Sequence, residues 1–247
     1  MDGSSSGSAC ERMPEGGWTV AVFDSGVAPL SAHAVAQIRR FVDARGRILE
    51  AEPVEDRTGH GTVVTGILAS SAPPVRLLIA QVLNERGRST AAALAAAVDW
   101  AVECRADMLH FSLGLSSDRA VLRAAVGRAV AEHALVVAAA PARGATTYPA
   151  SYPGVIRATG DARCGREQIS YLGTAAADFG ACPMRRSPSG RVARGASVGA
   201  AYLSRFIVTH VAAGLPISKT QEALVRLASF HGPERHHPAA VPWLTDR

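Results

Sequence analysis

Three residues in this chain have types and settings that could together cleave an acyl bond: Asp24, His60 and Ser197. Asp24 ends the apolar run "WTVAVFD" and is followed by Ser25 and Gly26. Functional groups in open parallel sheets gather at the carboxyl ends of strands, so an aspartate there suits chemistry as well as it suits opening a turn. His60 stands between two glycines in "GHGTVVTGILA", at the start of a predicted helix. The helix dipole is expected to lower its pKa and keep the imidazole neutral, as a base requires; capping the helix or bonding in the core is the plainer use. Ser197, in "GASVGAAYLSRFIVTHVAAG", is crowded by small residues at another helix start. Backbone N–H groups there face an incoming anion, although alone this serine reads as an N-cap. A hydroxyl, an imidazole and a carboxylate are what general-base activation of a nucleophile needs.

The elements that must carry these residues follow from the apolar pattern. "WTVAVFDSG", "VRLLIAQVL", "ADMLHFSLG", "ALVVAAA" and "GVIRATG" are short, nearly continuous apolar runs that stop at polar turns, the pattern of strands buried on both faces. Between them, "STAAALAAAVDWAVECR" begins at a cap, Ser89 or Thr90, and "DRAVLRAAVGRAVAEHA" repeats apolar residues at helical spacing. Strands alternating with helices predict an α/β domain of three layers, a mostly parallel central sheet with helices on both faces. The domain is expected over 18–230, with a Gly/Ser-rich tail at 1–17 and an irregular Pro- and His-rich tail at 231–247.

Composition narrows the function classes. Of 247 residues, 48% are hydrophobic and 5% aromatic, so Ala, Val and Leu must fill the core. No apolar run approaches the roughly 20 residues that span a bilayer, and no cationic start leads into an apolar stretch, so a membrane partner is not expected and the expected location is the cytoplasm. The net charge of +5 is mostly dispersed; its one dense patch, "MRRSPSGRVAR", lacks aromatic residues to stack bases, so nucleic acid is not expected either. Cys10, Cys104, Cys164 and Cys182 show no metal-ligand spacing and are expected as reduced thiols, with a Cys164–Cys182 pair as the alternative. No acidic cluster resembles a calcium loop, and neither metal nor cofactor is expected.

Taken together, the order Asp…His…Ser on a strand end and two helix starts resembles that of the subtilisin-like serine peptidases. "VAVFDSGV" looks like the family's aspartate motif, "GHGTVVTGILA" its histidine motif and "GASVGAA" a degenerate form of its serine motif. "LHFSLG" resembles the strand lining the substrate cleft, and "YPASYPGVIRATG" the segment after the oxyanion loop; the likeness runs from about residue 18 to about 230. The resemblance implies that Ser197 is the nucleophile, His60 its base and Asp24 the group that orients His60. It also implies that the backbone of Ser112, Leu113 and Gly114 pairs with an extended substrate.

The chain departs from the family at "VVAAAPARG", where Ala142 replaces the asparagine that donates to the oxyanion. A methyl group cannot donate; losing one such donor costs about 100- to 1,000-fold in turnover. Thr146, Thr147, Tyr148 and His110 are candidate substitutes. Only about 20 residues precede the aspartate motif, so without the family's long pro-segment the chain is expected to fold unaided or with another partner. Arg185, Arg186, Arg191 and Arg194 lie near Ser197 in sequence and read as a solvated loop or as a rim that steers an acidic peptide. The expected function is a cytoplasmic peptidase with a narrow substrate range, such as the precursor of a modified peptide, or an acyl-transferring or cyclising variant of it. The alternative is a weak or inactive homologue that binds a peptide for another protein.

Overall fold

The computed structural model describes residues 17–28, 34–71, 75–186 and 192–234. Its elements are β1 (Trp18–Asp24), β2 (Val35–Ala44), β3 (Arg47–Ala51), α1 (His60–Leu68), β4 (Val75–Gln81), α2 (Ala91–Glu103), β5 (Met108–Phe111), α3 (Ala120–Ala131), β6 (Leu135–Ala139), β7 (Val155–Gly160), β8 (Ile169–Tyr171), β9 (Phe179–Ala181), β10 (Met184–Arg186), β11 (Val192–Arg194), α4 (Ala196–His210), α5 (Ile217–Leu227) and β12 (Phe230–His231). Ten strands form one sheet in the order β12-β8-β9-β7-β6-β5-β1-β4-β2-β3. Only β2–β3 and β8–β9 pair antiparallel within it; β10 and β11 form a separate two-stranded ribbon.

The three layers follow from side-chain alternation along strands buried on both faces. In β1, Val20 and Val22 enter a core shared with Val64, Ile67, Leu203 and Ile207 of α1 and α4. Ala21 and Phe23 enter the opposite core, with Leu94 and Val98 of α2 and Leu122 and Val126 of α3. Thr90 caps α2 by accepting the Ala93 N–H at 3.2 Å. Small residues on α2 and α3, among them Ala97, Ala101, Ala125 and Ala129, pack this side around Phe23, Phe41, Trp100 and Phe111.

The five strands and two helices expected from periodicity are present, and the sheet is mostly parallel with helices on both faces. The β2–β3 hairpin and the short strands β8, β9 and β12 were not expected. Their residues are partly exposed or very short, and show no continuous apolar run. Most of the two expected tails, 1–16 and 235–247, lies outside the described residues. Cys164 and Cys182 are free thiols, so the pair between them is not formed. Cys104, buried at the end of α2, is disulfide-bonded, which corrects the expectation of reduced thiols throughout.

Candidate active site

Asp24 occupies the carboxyl end of β1, the central strand flanked by β4 and β5. It continues the Val20–Val22 face, so its side chain lies on the side of the sheet covered by α1 and α4. The carboxylate is fully buried, and a buried charge must be satisfied by donors. The Ser25 N–H donates to Oδ1 at 2.6 Å, and Ser112 Oγ, one strand away, donates to Oδ2. His60 Nδ1 donates to both oxygens, at 2.8 and 2.9 Å.

That last pair fixes the histidine's tautomer. An ionised carboxylate only accepts, so in the neutral ring Nδ1 keeps the proton and Nε2 presents its lone pair. Ser197 Oγ lies 2.9 Å from Nε2 and can donate to it. Asp24, His60 and Ser197 thus form one continuous hydrogen-bonded line across three elements. The His60 pKa is raised above its ordinary 6.5, chiefly by the Asp24 bond, against a lowering by burial; the charges of Asp24 and Asp56 add to the rise. This reverses the depression expected from the helix dipole. A carboxylate in direct contact outweighs partial charges on the first turn.

Glycines set the two helix starts. A Cβ on Gly61 would lie 2.1 Å from the Gly26 carbonyl oxygen and 3.1 Å from Asp24 Oδ1, so the start of α1 can press on the β1 turn only without a side chain there. Gly199 does the same for α4, where a Cβ would lie 2.3 Å from the Thr159 carbonyl oxygen at the end of β7. Ser197, two residues beyond its N-cap Gly195, keeps a backbone N–H with no intrahelical acceptor.

Several supporting residues were not foreseen. Asp56, buried four residues before His60, accepts from Ser25 Oγ, Thr58 Oγ1, the Gly59 N–H and both the N–H and hydroxyl of Thr62, at 2.7–3.0 Å. Burial alone would raise its pKa, but these bonds lower it and cap α1 from outside. Gln81, at the end of β4, donates to the carbonyls of Ser25 and Val54 and accepts the Val54 N–H, tying this loop to the Asp24 turn. The signal available in sequence was a pair of polar residues, Asp56 and Gln81, close to the apolar runs.

The other expected residues fall in three places. Ser112, Leu113 and Gly114 follow β5 beside Asp24, and Ser112 donates its hydroxyl to the Asp24 carboxylate. Leu115 and Tyr148 exchange backbone hydrogen bonds of 2.7 and 2.9 Å, which hold this segment to the 146–148 loop. Ala142 is exposed and borders a cavity of about 280 Å³ with Arg143, Thr159, Gly160 and Leu172. His110 cannot serve as the substitute donor. It is fully buried and bonded through Nδ1 to Ser204 Oγ at 2.9 Å, two helical turns below Ser197, and burial pushes its pKa down to about 4. Arg186 and Arg194 are exposed on the β10–β11 ribbon; Arg185, half-buried, reaches Tyr202 Oη at 3.5 Å, and Arg191 lies outside the described residues.

Comparison with known proteins agrees with this architecture. A sequence model of the Subtilase family matches residues 15–219. The chain is 29% identical over 149 residues to the minor extracellular protease Epr of Bacillus subtilis, 32% over 152 residues to a thermostable alkaline protease of Halalkalibacterium halodurans, and 36% over 116 residues to subtilisin DY of Bacillus licheniformis. These matches cover 56%, 57% and 41% of this chain, but only 22%, 40% and 42% of the relatives' own length. Sphericase superposes with a TM-score of 0.63 at 21% identity, covering 86% of this chain and 83% of that one; the S41 psychrophilic protease gives 0.61 at 19%, covering 85% and 82%. At these identities the structural likeness is one of fold.

Proposed function

The chain belongs to the subtilase family, and on that premise we propose that it is a serine peptidase in which Ser197 attacks, His60 moves the proton and Asp24 holds His60. The observation that carries this reading is the line from Asp24 through His60 to Ser197, with every link between 2.8 and 2.9 Å. As Ser197 Oγ attacks a peptide carbonyl, its proton passes to His60 Nε2. The imidazolium that forms is stabilised by buried Asp24 and returns the proton to the departing amine. Water then hydrolyses the acyl-enzyme by the same relay, or a second amine captures it in an acyl transfer.

The developing oxyanion meets the Ser197 N–H at the start of α4, where the helix dipole favours negative charge. Ala142 offers no second donor, so turnover is slow. Slow turnover suits one dedicated substrate, such as the precursor of a modified peptide, better than bulk degradation. Ser112–Gly114 supply a backbone edge for an extended peptide, and the arginines of the β10–β11 ribbon favour an acidic one. The disulfide at Cys104 argues for an oxidising compartment over the cytoplasm expected from sequence. No helix among the described residues is long and apolar enough to cross a membrane.

A fluorophosphonate probe tests the assignment. Covalent labelling at Ser197, lost in both Ser197→Ala and His60→Ala, is the expected result. Absence of labelling in the folded parent would favour the second reading, a peptide-binding homologue, for which the missing donor at Ala142 is the specific support.

A further inference from the structure

Below the line of Asp24, His60 and Ser197 lies a buried polar pair that the reaction does not use, His110 of β5 and Ser204 of α4. Val22 of β1 pairs with His110, which puts the imidazole on the same face of the sheet as Asp24, two residues back from the strand end. Both members are fully buried, and Nδ1 meets Ser204 Oγ at 2.9 Å. The other ring nitrogen, Nε2, has no partner, so this one bond carries all the hydrogen bonding of the ring. The surroundings are apolar: Val22 and Val137 flank His110 on the two adjoining strands, and Val198, Leu203 and Ile207 of α4 enter the same core. The other side-chain bonds of α4 lead elsewhere. Ser197 meets α1, Tyr202 meets β10, Arg205 reaches Ser70 and Glu167, and Thr209 turns back on the helix. Among the described residues, His110–Ser204 is thus the side-chain hydrogen bond that ties α4 to the central sheet.

We propose that His110 is a positioning residue for Ser197: its bond to Ser204 sets how far α4 is seated along the sheet, and so where the nucleophile lies against His60. The inference rests on the peptidase reading. Ser204 follows Ser197 by seven residues, just under two turns, so both project from one face of α4 about 10.5 Å apart. A slip of the helix at Ser204 is therefore carried to Ser197. Apolar contacts are non-directional and tolerate such a slip, whereas a hydrogen bond fixes distance and angle. Gly199, between the two serines, sets how closely α4 approaches the Thr159 carbonyl, but it has no side chain to hold the helix along its axis. What the seating protects is the 2.9 Å approach of Ser197 Oγ to His60 Nε2. A misplacement of about 1 Å there can cost on the order of 100-fold in rate. The ring suits the place because it stays uncharged. Burial pushes its pKa down to about 4, opposed by the Asp24 charge on β1 and helped by His60 on α1. A neutral imidazole bonds Ser204 without competing with His60 for the Asp24 carboxylate.

The test reads fluorophosphonate labelling of Ser197, resolved into a maximal rate and a half-saturating probe concentration, beside thermal unfolding and the pH profile of labelling. Rates are referred to the folded fraction. Ser204→Ala removes the bond with little change in volume; it should lower the maximal rate by about tenfold or more at neutral pH and leave the half-saturating concentration unchanged. His110→Leu should do the same, and the double variant should be no slower than either single one, because all three lack the same bond. His110→Asn keeps a neutral amide where Nδ1 stands and should recover the rate to within about threefold of the parent. That recovery should vanish when Ser204→Ala is added. Ser204→Ala alone decides the matter if the histidine variants do not fold. The acid limb of the profile, set by His60 and Asp24, should stay in place throughout. Three results overturn the inference while leaving the peptidase reading intact. The variants lose stability but their folded protein keeps the parent's maximal rate, as plain core packing requires; or the losses multiply in the double variant; or His110→Leu moves the acid limb, which would make the ring an electrostatic partner of His60. A parent chain that the fluorophosphonate does not label removes the peptidase reading and this inference with it.

Discussion

Replacing Gly61 by alanine should disable the site through geometry alone, without removing any group that takes part in the chemistry. The new Cβ would sit 2.1 Å from the Gly26 carbonyl oxygen, and a contact below 3.0 Å is one that real Cβ atoms essentially never make. The start of α1 must therefore retreat by at least 3.0 − 2.1 = 0.9 Å from the turn that carries Asp24. His60 is the adjacent residue and moves with it. Its bonds to Asp24 and Ser197, now 2.8–2.9 Å, would stretch well beyond good hydrogen-bond range. A misplacement of about 1 Å can cost on the order of 100-fold in rate, and overpacking of this kind costs about 1–3 kcal/mol of stability. The assay is the second-order rate of fluorophosphonate labelling at Ser197, with thermal unfolding measured in parallel. Gly66→Ala is the control: it lies in the same helix with nothing within 4 Å of the new Cβ, so it should label like the parent and gain up to about 1 kcal/mol from helix propensity. If folded Gly61→Ala labels within threefold of the parent, either α1 is not clamped to the β1 turn or His60 is not the base.

Three further outcomes are expected. Ala142→Asn should raise turnover by up to about 100- to 1,000-fold with little change in substrate affinity, and should do nothing when combined with Ser197→Ala; steady-state kinetics of the two variants decide it. Because the raised pKa of His60 must be passed for Nε2 to accept a proton, activity should be lost as pH falls through a value above 6.5. Asp24→Asn should move that acid limb to lower pH while cutting the plateau by about 10,000-fold, and NMR titration of His60 in a Ser197→Ala background should show the same downward shift. The paired ring stabilises the fold fully below its unfolded pKa, and that contribution fades as pH rises through the raised folded value. Charge reversal at Arg185 and Arg186 should slow association with an acidic peptide while sparing a small neutral ester, and added salt should mimic it; equal losses on both would assign the ribbon a structural role.

Much of this site is legible in the chain because its parts are defined locally. An apolar run that stops at Asp24, a histidine between glycines at the head of "TVVTGILA", and a serine among small residues before an apolar helix each report on backbone conformation within a few residues. Strand and helix periodicities then predict a parallel sheet, which collects strand ends and helix starts along one edge. The fold class follows from that; the three residues become a set only through the likeness of their order to the subtilisin-like peptidases, since each alone also reads as a turn or a cap. What the chain does not display is which polar groups meet once β1 lies between β4 and β5. Ser112 reaches Asp24 across 88 residues of sequence, Ser25 reaches Asp56 across 31 and His110 reaches Ser204 across 94, none at a spacing that any periodicity marks. The direction of the His60 pKa shift belongs to the same class: the helix start is visible in sequence and argues for lowering, but the contact with Asp24 exists only after folding and is the stronger effect. Local pattern specifies the elements because backbone propensity and side-chain alternation act over a few residues. Tertiary packing alone decides hydrogen-bond partners, charge environment and the seating of each helix, because those depend on which distant elements share an edge.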